Sequence, residues 1–91
     1  MTCRRQAEAT GGVIYLICFE RPFSHARHYM GWTQALGVRL HLHRAGRGAR
    51  LMDAVTQAGI GWEVVALFYG DRNDERAMKN HGHARRCPRC P

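Results

Sequence analysis

The sequence predicts an α+β fold in which a small three-stranded antiparallel sheet is flanked by helices, in the order β-β-α-α-β-α. Apolar runs rich in β-branched and aromatic residues indicate strands at residues 13–19, 28–32 and 62–69. Helical patterns lie between the second and third runs and after the third. With 91 residues the chain is long enough for one small domain. We place this domain at residues 11–80, followed by a basic His/Cys tail at residues 81–91.

The first two strands are predicted to form a hairpin. Residues 13–19 are continuously apolar after a glycine pair, which is typical of a buried strand, so we expect this strand at the centre of the sheet. Residues 20–27, which include Pro22, are interpreted as the connection, and residues 28–32 as the returning strand. Tyr15 and Tyr29 should therefore lie on neighbouring strands.

A helix is predicted from an N-cap at Thr33 to about Arg44. Within it Leu36 and Leu40 share one face, because residues four apart are neighbours on a helix. The same spacing brings Arg39 and His43 onto one face. We therefore expect Leu36 and Leu40 to face the core. Arg39 and His43 should form a polar pair on their own face of the helix.

Two further helices are predicted later in the chain. Leu51, Met52 and Val55 give a shorter helical pattern that ends near Gly59. After the third strand, residues 71–74 supply turn and N-cap side chains for a last helix, in which Glu75 and Lys79 stand four residues apart.

The charge of the chain favours a polyanionic partner. Fourteen basic residues outnumber seven acidic ones, which gives a net charge of +7. All the basic residues except Lys79 are arginines, whose planar guanidinium binds phosphate through paired hydrogen bonds. Residues 21–52 contain six arginines, four histidines and no carboxylate. A basic surface without a specific ligand is the alternative interpretation of the charge alone.

The sequence also indicates the compartment. It contains no run of about twenty apolar residues, and its first ten residues are too polar for a secretory signal. We therefore expect a soluble, cytoplasmic protein with no membrane partner.

Of the four cysteines, Cys18 lies in an apolar run and is interpreted as a core residue, so a disulfide framework is not expected.

An ordered set of motifs resembles the core of the GIY-YIG nuclease family and covers nearly the whole of residues 12–79. The set consists of Val13-Ile14-Tyr15, Tyr29-Met30-Gly31, Arg39 with His43, the basic glycine loop from Gly46 to Arg50, and Glu75 on the last helix. Valine and methionine stand where the family name has glycine and isoleucine. The further asparagine that many members carry beyond the glutamate helix has no clear match here, since Asn80 is too near Glu75. The resemblance implies a GIY-YIG-like fold.

The resemblance also implies a role for each motif residue in an endonuclease that hydrolyses phosphodiester bonds. Tyr15 would be the general base, and Tyr29 would orient water or substrate. Arg39 would hold the scissile phosphate, and His43 would contact phosphate or assist proton transfer. Glu75 would bind a divalent cation, most simply Mg²⁺. The residues implied in nucleic-acid binding are Arg44, Arg47, Arg50 and Lys79, and the partner would be DNA or RNA, with a protein partner for targeting.

The residue types also support this chemistry without the family. A phosphodiester is cleaved by a deprotonated water, with positive charge near the non-bridging oxygens. A tyrosine has an ordinary pKa of about 10, and a nearby cation would favour its phenolate. Taken singly, Tyr15 is more often a core aromatic, and Glu75 is ordinarily a helix-surface carboxylate. Arg39 could be a solvated arginine and His43 a helix-surface histidine.

The tail suggests a second metal site. His81, His83, Cys87 and Cys90 form an H-x-H and a Cys-x-x-Cys within ten residues, and these ligand types suit zinc. Cys3 is a further candidate ligand. The alternative is an arginine-rich tail that contacts the nucleic-acid backbone.

Two other functions stay open on the sequence. One is a module of the same fold that binds nucleic acid without cutting it. The other is a small zinc-stabilised interaction protein in which the tyrosines are core residues.

Overall fold

The computed structural model describes residues 12–82 and 86–90. They form the strands β1 (Val13–Phe23), β2 (Ala26–Thr33) and β3 (Trp62–Tyr69) and the helices α1 (Leu36–Arg44), α2 (Arg50–Gln57) and α3 (Arg72–Asn80). The element order is β-β-α-α-β-α, as predicted. All three strands belong to one antiparallel sheet in the order β2-β1-β3, so β1 is central. The α+β class and the sheet are thus confirmed.

The hairpin is tighter than predicted. Strand β1 continues to Phe23, and Ala26 begins β2, so that Ser24 and His25 alone connect the strands. Ser24 adopts a positive φ of 56°, which a tight connection requires. Pro22 lies near the end of β1, after the regular pairing between Cys18 and His28, where a missing N–H is tolerated.

Helix α1 begins two to three residues later than predicted. Thr33 is the last residue of β2 and pairs with Val13, so it cannot be an N-cap. Its Oγ1 instead accepts a hydrogen bond from the Ala35 N–H at 3.1 Å, and Ala35 is the N-cap. Strand pairing outweighs the local capping preference of the threonine at this position.

The other two helices have the predicted ends. Gly59 follows α2 with a φ of 74°, and its N–H donates to the carbonyl of Thr56 at 3.1 Å. Asp71 caps α3, because its carboxylate accepts from the Asp74 N–H while the Asp74 carboxylate accepts from the Asp71 N–H. Glu75 and Lys79 form an ion pair at 3.2 Å.

The alternation of β1 divides the interior into two cores, one on each face of the sheet. On the first face Tyr15, Ile17 and Phe19 pack with residues of and beside α2, namely Met52, Val55 and Ile60. On the second face Ile14, Leu16 and Cys18 pack with Met30 of β2 and with Cys87 of the tail. Because both faces are covered there, residues 13–19 of β1 are all apolar, as the continuous run in the sequence indicates.

Helix α1 covers the first face from one side. Leu36 and Leu40 are partly buried against the first core, which confirms the predicted apolar face.

Within the described residues, no helix has the length and apolar character that crossing a membrane would require.

Candidate functional site

Four of the predicted site residues meet on the first face of the sheet. Tyr15 comes from the central strand β1, Tyr29 from β2, and Arg39 and His43 from α1. The antiparallel register of β1 and β2 and the packing of α1 across them bring these side chains together. We call this group the tyrosine–histidine cluster.

The rings of the cluster are in contact. The Tyr15 hydroxyl and Nε2 of His43 are 2.8 Å apart and share a hydrogen bond. The ring centroids of Tyr15 and Tyr29 are 6.0 Å apart, and those of Tyr29 and His43 are 5.5 Å apart at a steep angle. These are ordinary distances for packed aromatic rings.

Burial governs the protonation of the cluster. Tyr15 and His43 are both inaccessible to solvent. Burial raises the pKa of the Tyr15 phenol above its ordinary value, the neighbouring Tyr29 adds to this rise, and the Arg39 guanidinium opposes it without cancelling it. Burial lowers the pKa of His43, and Arg39 lowers it further, while Asp53 acts in the opposite direction. The resting pair is therefore a neutral phenol beside a neutral imidazole.

Two glycines allow the cluster to pack so closely. Gly31 lies opposite Tyr15 in the sheet, and a Cβ on Gly31 would lie 2.4 Å from the Tyr15 hydroxyl oxygen. A Cβ on Gly48 would lie 2.1 Å from Nδ1 of His43. Both rings thus lie over bare backbone, which gives a physical reason for the glycine in the Tyr29-Met30-Gly31 motif.

Two polar atoms of the cluster are buried without a partner. Nε of Arg39 and Nδ1 of His43 make no hydrogen bond within the part of the chain that the structure describes. Buried polar atoms in this state are uncommon in folded proteins. The Arg39 guanidinium is close enough to Tyr15 to influence the pKa of its phenol.

Glu75 lies next to the cluster through Lys79. Helix α3 packs against β2, and Nζ of Lys79 lies 5.9 Å from the centre of the Tyr29 ring. The same ammonium pairs with Glu75, whose side chain is only 17% exposed. The predicted catalytic carboxylate is thus held at the Tyr29 side of the cluster by a lysine.

Three of the predicted nucleic-acid-binding residues lie on the surface between the end of α1 and the start of α2. Arg44, Arg47 and Arg50 are all exposed. Arg44 stacks over the ring of Trp62 at 4.9 Å, which fixes its guanidinium near the end of α1. Trp62 is also packed edge-on against His43, so it connects this basic surface to the cluster.

A second group of functional side chains lies on the other face of the sheet. Cys18, His28, Cys87 and Cys90 each offer a ligand atom, and these four atoms all lie within 4.8 Å of one another. We call this group the Cys₃His cluster. It could bind a metal such as zinc, because three sulfurs and one imidazole are a common zinc ligand set.

The Cys₃His cluster differs from the predicted tail site in two ligands. Cys87 and Cys90 are present as predicted, but the structure places them with Cys18 of β1 and His28 of β2. His81 is exposed at the end of α3 and does not belong to this group. His83 and Cys3 lie outside the described residues. The prediction that Cys18 is buried is confirmed, but its role beside the tail cysteines was not foreseen.

The three cysteines are free thiols with different environments. Burial raises the pKa of Cys18 to about 11, and its contacts with Cys90 and Cys87 add to the rise. Burial acts in the same direction on Cys87, but the backbone amides of Arg89 and Cys90 and the neighbouring thiols outweigh it and lower the pKa of Cys87. The turn between Cys87 and Cys90 therefore favours a thiolate at its first cysteine.

The sequence and the structure were compared with protein-family models, with curated proteins and with solved structures, and none of them matches.

The buried imidazole predicts a specific dependence of stability on pH. The folded-state pKa of His43 is lowered, so the unfolded chain takes up a proton at a higher pH, near its ordinary value of about 6.5. The contribution of the neutral His43 to the free energy of unfolding is fully present above the unfolded-state pKa of about 6.5. It is lost as the pH falls toward the lower folded-state pKa of His43. We expect the thermal midpoint of the native protein to fall between about pH 8 and about pH 5.

A His43→Gln variant isolates this contribution. The variant should be less stable than the native protein at pH 8, and the difference between the two should narrow toward pH 5. Thermal melts followed by circular dichroism measure both. An unchanged difference across this range would show that His43 is not held neutral in the fold.

Proposed function

We propose that this protein is a metal-dependent endonuclease that hydrolyses phosphodiester bonds of DNA, with a fold and site of the GIY-YIG type. The observation that carries the proposal is the hydrogen bond of 2.8 Å between Tyr15 and His43, in a cluster that also contains Tyr29 and Arg39. Two strands and a helix supply these residues. The same residues occur in the motifs that resemble the GIY-YIG family. The net charge of +7 favours a polyanionic substrate such as a nucleic acid.

Tyr15 and His43 together provide a route for the proton of the attacking water. Because burial raises the pKa of Tyr15, a free phenolate is a poor resting species. Because Tyr15 is inaccessible to solvent, the attacking water would have to enter the cluster past the half-buried Tyr29 when substrate binds. The neutral His43 imidazole can then accept the Tyr15 proton at Nε2 as Oη of Tyr15 takes a proton from that water. One proton then leaves the water and one arrives on His43, and the tyrosine is neutral again. The general-base role of Tyr15 thus depends on His43.

Arg39 and Tyr29 would bind and orient the substrate. The unpartnered Nε of Arg39 can donate to a non-bridging phosphate oxygen and offset the charge that develops there. Tyr29 is half-buried, whereas Tyr15 is fully buried, so Tyr29 is the member of the pair that substrate would reach first. Its hydroxyl would orient the water toward phosphorus.

Glu75 is the residue that would hold the divalent cation. Its carboxylate is mostly shielded and is paired with Lys79 beside Tyr29. A single carboxylate suits Mg²⁺, which commonly keeps several waters and shares the oxygens of a phosphate. A bound cation supplies positive charge at the phosphate and the leaving oxygen. Lys79 would then be released from Glu75 and could contact the DNA backbone.

A second function is favoured by one observation. Tyr15 is fully buried and its pKa is raised, as expected for a core tyrosine with a satisfied hydroxyl. In that case the exposed Arg44, Arg47 and Arg50 would hold nucleic acid, and no bond would be cut. Such a module would bind DNA with an affinity that falls steeply as salt rises, and it would leave the DNA intact.

Plasmid nicking tests the proposed function. The native protein should convert supercoiled DNA to the open circular form when Mg²⁺ is present, and Glu75→Gln should lower the rate about a hundredfold. Glu20→Gln is a matched control, because Glu20 is an exposed carboxylate on β1. It should cut like the native protein.

Two outcomes contradict the nuclease. One is binding of DNA by the native protein without nicking, which is the result expected of the binding module. The other is a Glu75→Gln variant that cuts as fast as the Glu20→Gln control. A labelled RNA of the same sequence, used as substrate in parallel, separates a deoxyribonuclease from a ribonuclease.

A further inference from the structure

The two faces of the sheet carry different chemistry. The tyrosine–histidine cluster lies on the first face, and the Cys₃His cluster lies on the second. Cys18 belongs to the second core and Tyr15 to the first, although both are in β1. A function for the second face therefore has to be argued from its own residues, and it does not rest on the proposed nuclease.

The sheet register explains how two of the ligands meet. Cys18 of β1 is directly opposite His28 of β2. Side chains at directly opposed positions of an antiparallel pair project from the same face, with Cβ atoms about 4.5–5.5 Å apart. One hairpin thus presents a thiol and an imidazole side by side on paired strand positions.

The tail supplies the other two ligands from a turn. Cys87 and Cys90 flank Pro88 and Arg89, which form the turn of a Cys-x-x-Cys. This spacing is the usual one for two cysteines on a single zinc ion. Cys87 is buried against Met30 and Leu16 in the second core, so the turn is seated on the sheet.

Two of the ligand-to-ligand distances are close to those of a tetrahedral metal site, and all four ligand atoms lie within 4.8 Å of one another. Sγ of Cys18 and Sγ of Cys90 are 3.8 Å apart. Two sulfurs on a tetrahedral zinc ion with bonds of about 2.3 Å would be about 3.8 Å apart. Sγ of Cys90 is 3.3 Å from Nε2 of His28, close to the distance of about 3.6 Å that a sulfur and a nitrogen would have on the same ion. A disulfide would need sulfurs at about 2.05 Å, so Cys18 and Cys90 are not bonded to each other, and their separation leaves both sulfurs available to a shared ion.

We propose that Cys18, His28, Cys87 and Cys90 bind one structural Zn²⁺ that fastens the tail to the second face of the sheet. Zinc suits this set because three thiolates and one imidazole fill its four tetrahedral positions and leave none open for a reaction. Binding releases the thiol protons, including that of the buried Cys18.

The fold gives this ion a structural role. Ile14, Leu16 and Met30 form the centre of the second core, and Cys87 covers them. Residues 86–90 are too few to bury much apolar surface by themselves, and small domains commonly use a metal where the core is insufficient. Among the contacts that the structure describes for residues 86–90, Arg89 pairs with the exposed Glu63, and Arg86 lies over the ring of Phe68 at the surface. Zinc would therefore be the main restraint on the tail.

The test measures metal content, not nuclease activity. The full chain, purified after growth with added zinc, should contain one zinc per molecule by elemental analysis. Exchange with Co²⁺ should give the intense visible bands of a tetrahedral site and a thiolate-to-metal charge-transfer band. A chelator that removes the metal should lower the thermal midpoint of the native protein.

Matched substitutions show whether His28 or the tail residues His81 and His83 bind the zinc. His28→Ala and Cys90→Ser should each weaken zinc binding at least about a hundredfold. His81→Ala with His83→Ala, and separately Cys3→Ser, should keep the native zinc content. Cys90→His keeps four ligands, so it should stay loaded with Co²⁺ but show a weaker charge-transfer band. This variant remains informative if Cys90→Ser does not fold.

Several results would overturn the proposal. A native protein that contains no zinc and takes up no Co²⁺ would do so, as would iron in place of zinc. Loss of zinc from the His81/His83 double variant with retention in His28→Ala would establish the ligand set within the tail instead. Each result is independent of whether the protein cuts DNA.

Discussion

Replacing Tyr15 by phenylalanine is expected to lower plasmid nicking by about 10²- to 10⁴-fold, the usual effect of removing a general base. The substitution deletes one oxygen and leaves the ring in its place over Gly31. It breaks the hydrogen bond with His43, so the proton of the attacking water loses its route to the imidazole. It also leaves Nε2 of His43 buried without its partner, which costs about 1–3 kcal/mol of the free energy of unfolding.

Tyr69→Phe is the matched control for this substitution. Tyr69 ends β3 with 67% of its surface exposed, so loss of its hydroxyl should change neither nicking nor stability. The rates are measured by nicking with Mg²⁺, and the stabilities by thermal or urea unfolding. DNA affinity, measured by gel shift, should be the same for both variants. If Tyr15→Phe cuts as fast as Tyr69→Phe, then Tyr15 is a core residue and the proton route proposed here does not exist.

Much of the fold could be predicted because its strands are continuous apolar runs. The strand Trp62–Tyr69 has its predicted bounds, and the central position of β1 follows from a run that is apolar on both faces. The start of α1 was less predictable. Thr33 has the side chain of a good N-cap, but its pairing with Val13 in the sheet is a long-range contact that a local pattern cannot reveal.

The tyrosine–histidine cluster was more predictable than the metal ligands for a geometric reason. Spacing places Arg39 and His43 on one helical face, and the hairpin places Tyr15 and Tyr29 on neighbouring strands. The resemblance to the GIY-YIG family implied that the two pairs form one site. The Cys₃His cluster joins residues up to 72 positions apart, from Cys18 to Cys90. In the sequence His81 and His83 are far closer to the cysteines and suggest a local site. Cys18 and His28 lie on the two strands of the predicted hairpin, but their direct opposition depends on an irregular pairing between Cys18 and Phe23 that the sequence pattern does not reveal.

Replacing Gly31 by alanine is expected to impair the site without removing any of its functional groups. The added Cβ would lie 2.4 Å from the Tyr15 hydroxyl oxygen and 2.5 Å from the ring carbon that carries it. The ring has no free space to move into, because Tyr15 is fully buried. The backbone or the ring must shift, which costs about 1–3 kcal/mol of the free energy of unfolding. The shift also separates Tyr15 from His43, so nicking should fall by about a hundredfold.

Gly37→Ala shows whether the effect comes from position and not from the loss of a glycine. Gly37 lies in α1, between Leu36 and Arg39, and a Cβ there would meet nothing within 4 Å. Alanine should stabilise the helix by about 0.5–1 kcal/mol because it restricts the unfolded chain, and nicking should be unchanged. Gly31→Ala should therefore lower the free energy of unfolding relative to the native protein, whereas Gly37→Ala should raise it. If Gly31→Ala unfolds and cuts like the native protein, Tyr15 has room to move, and the close packing of Tyr15 over Gly31 does not hold the proton route in place.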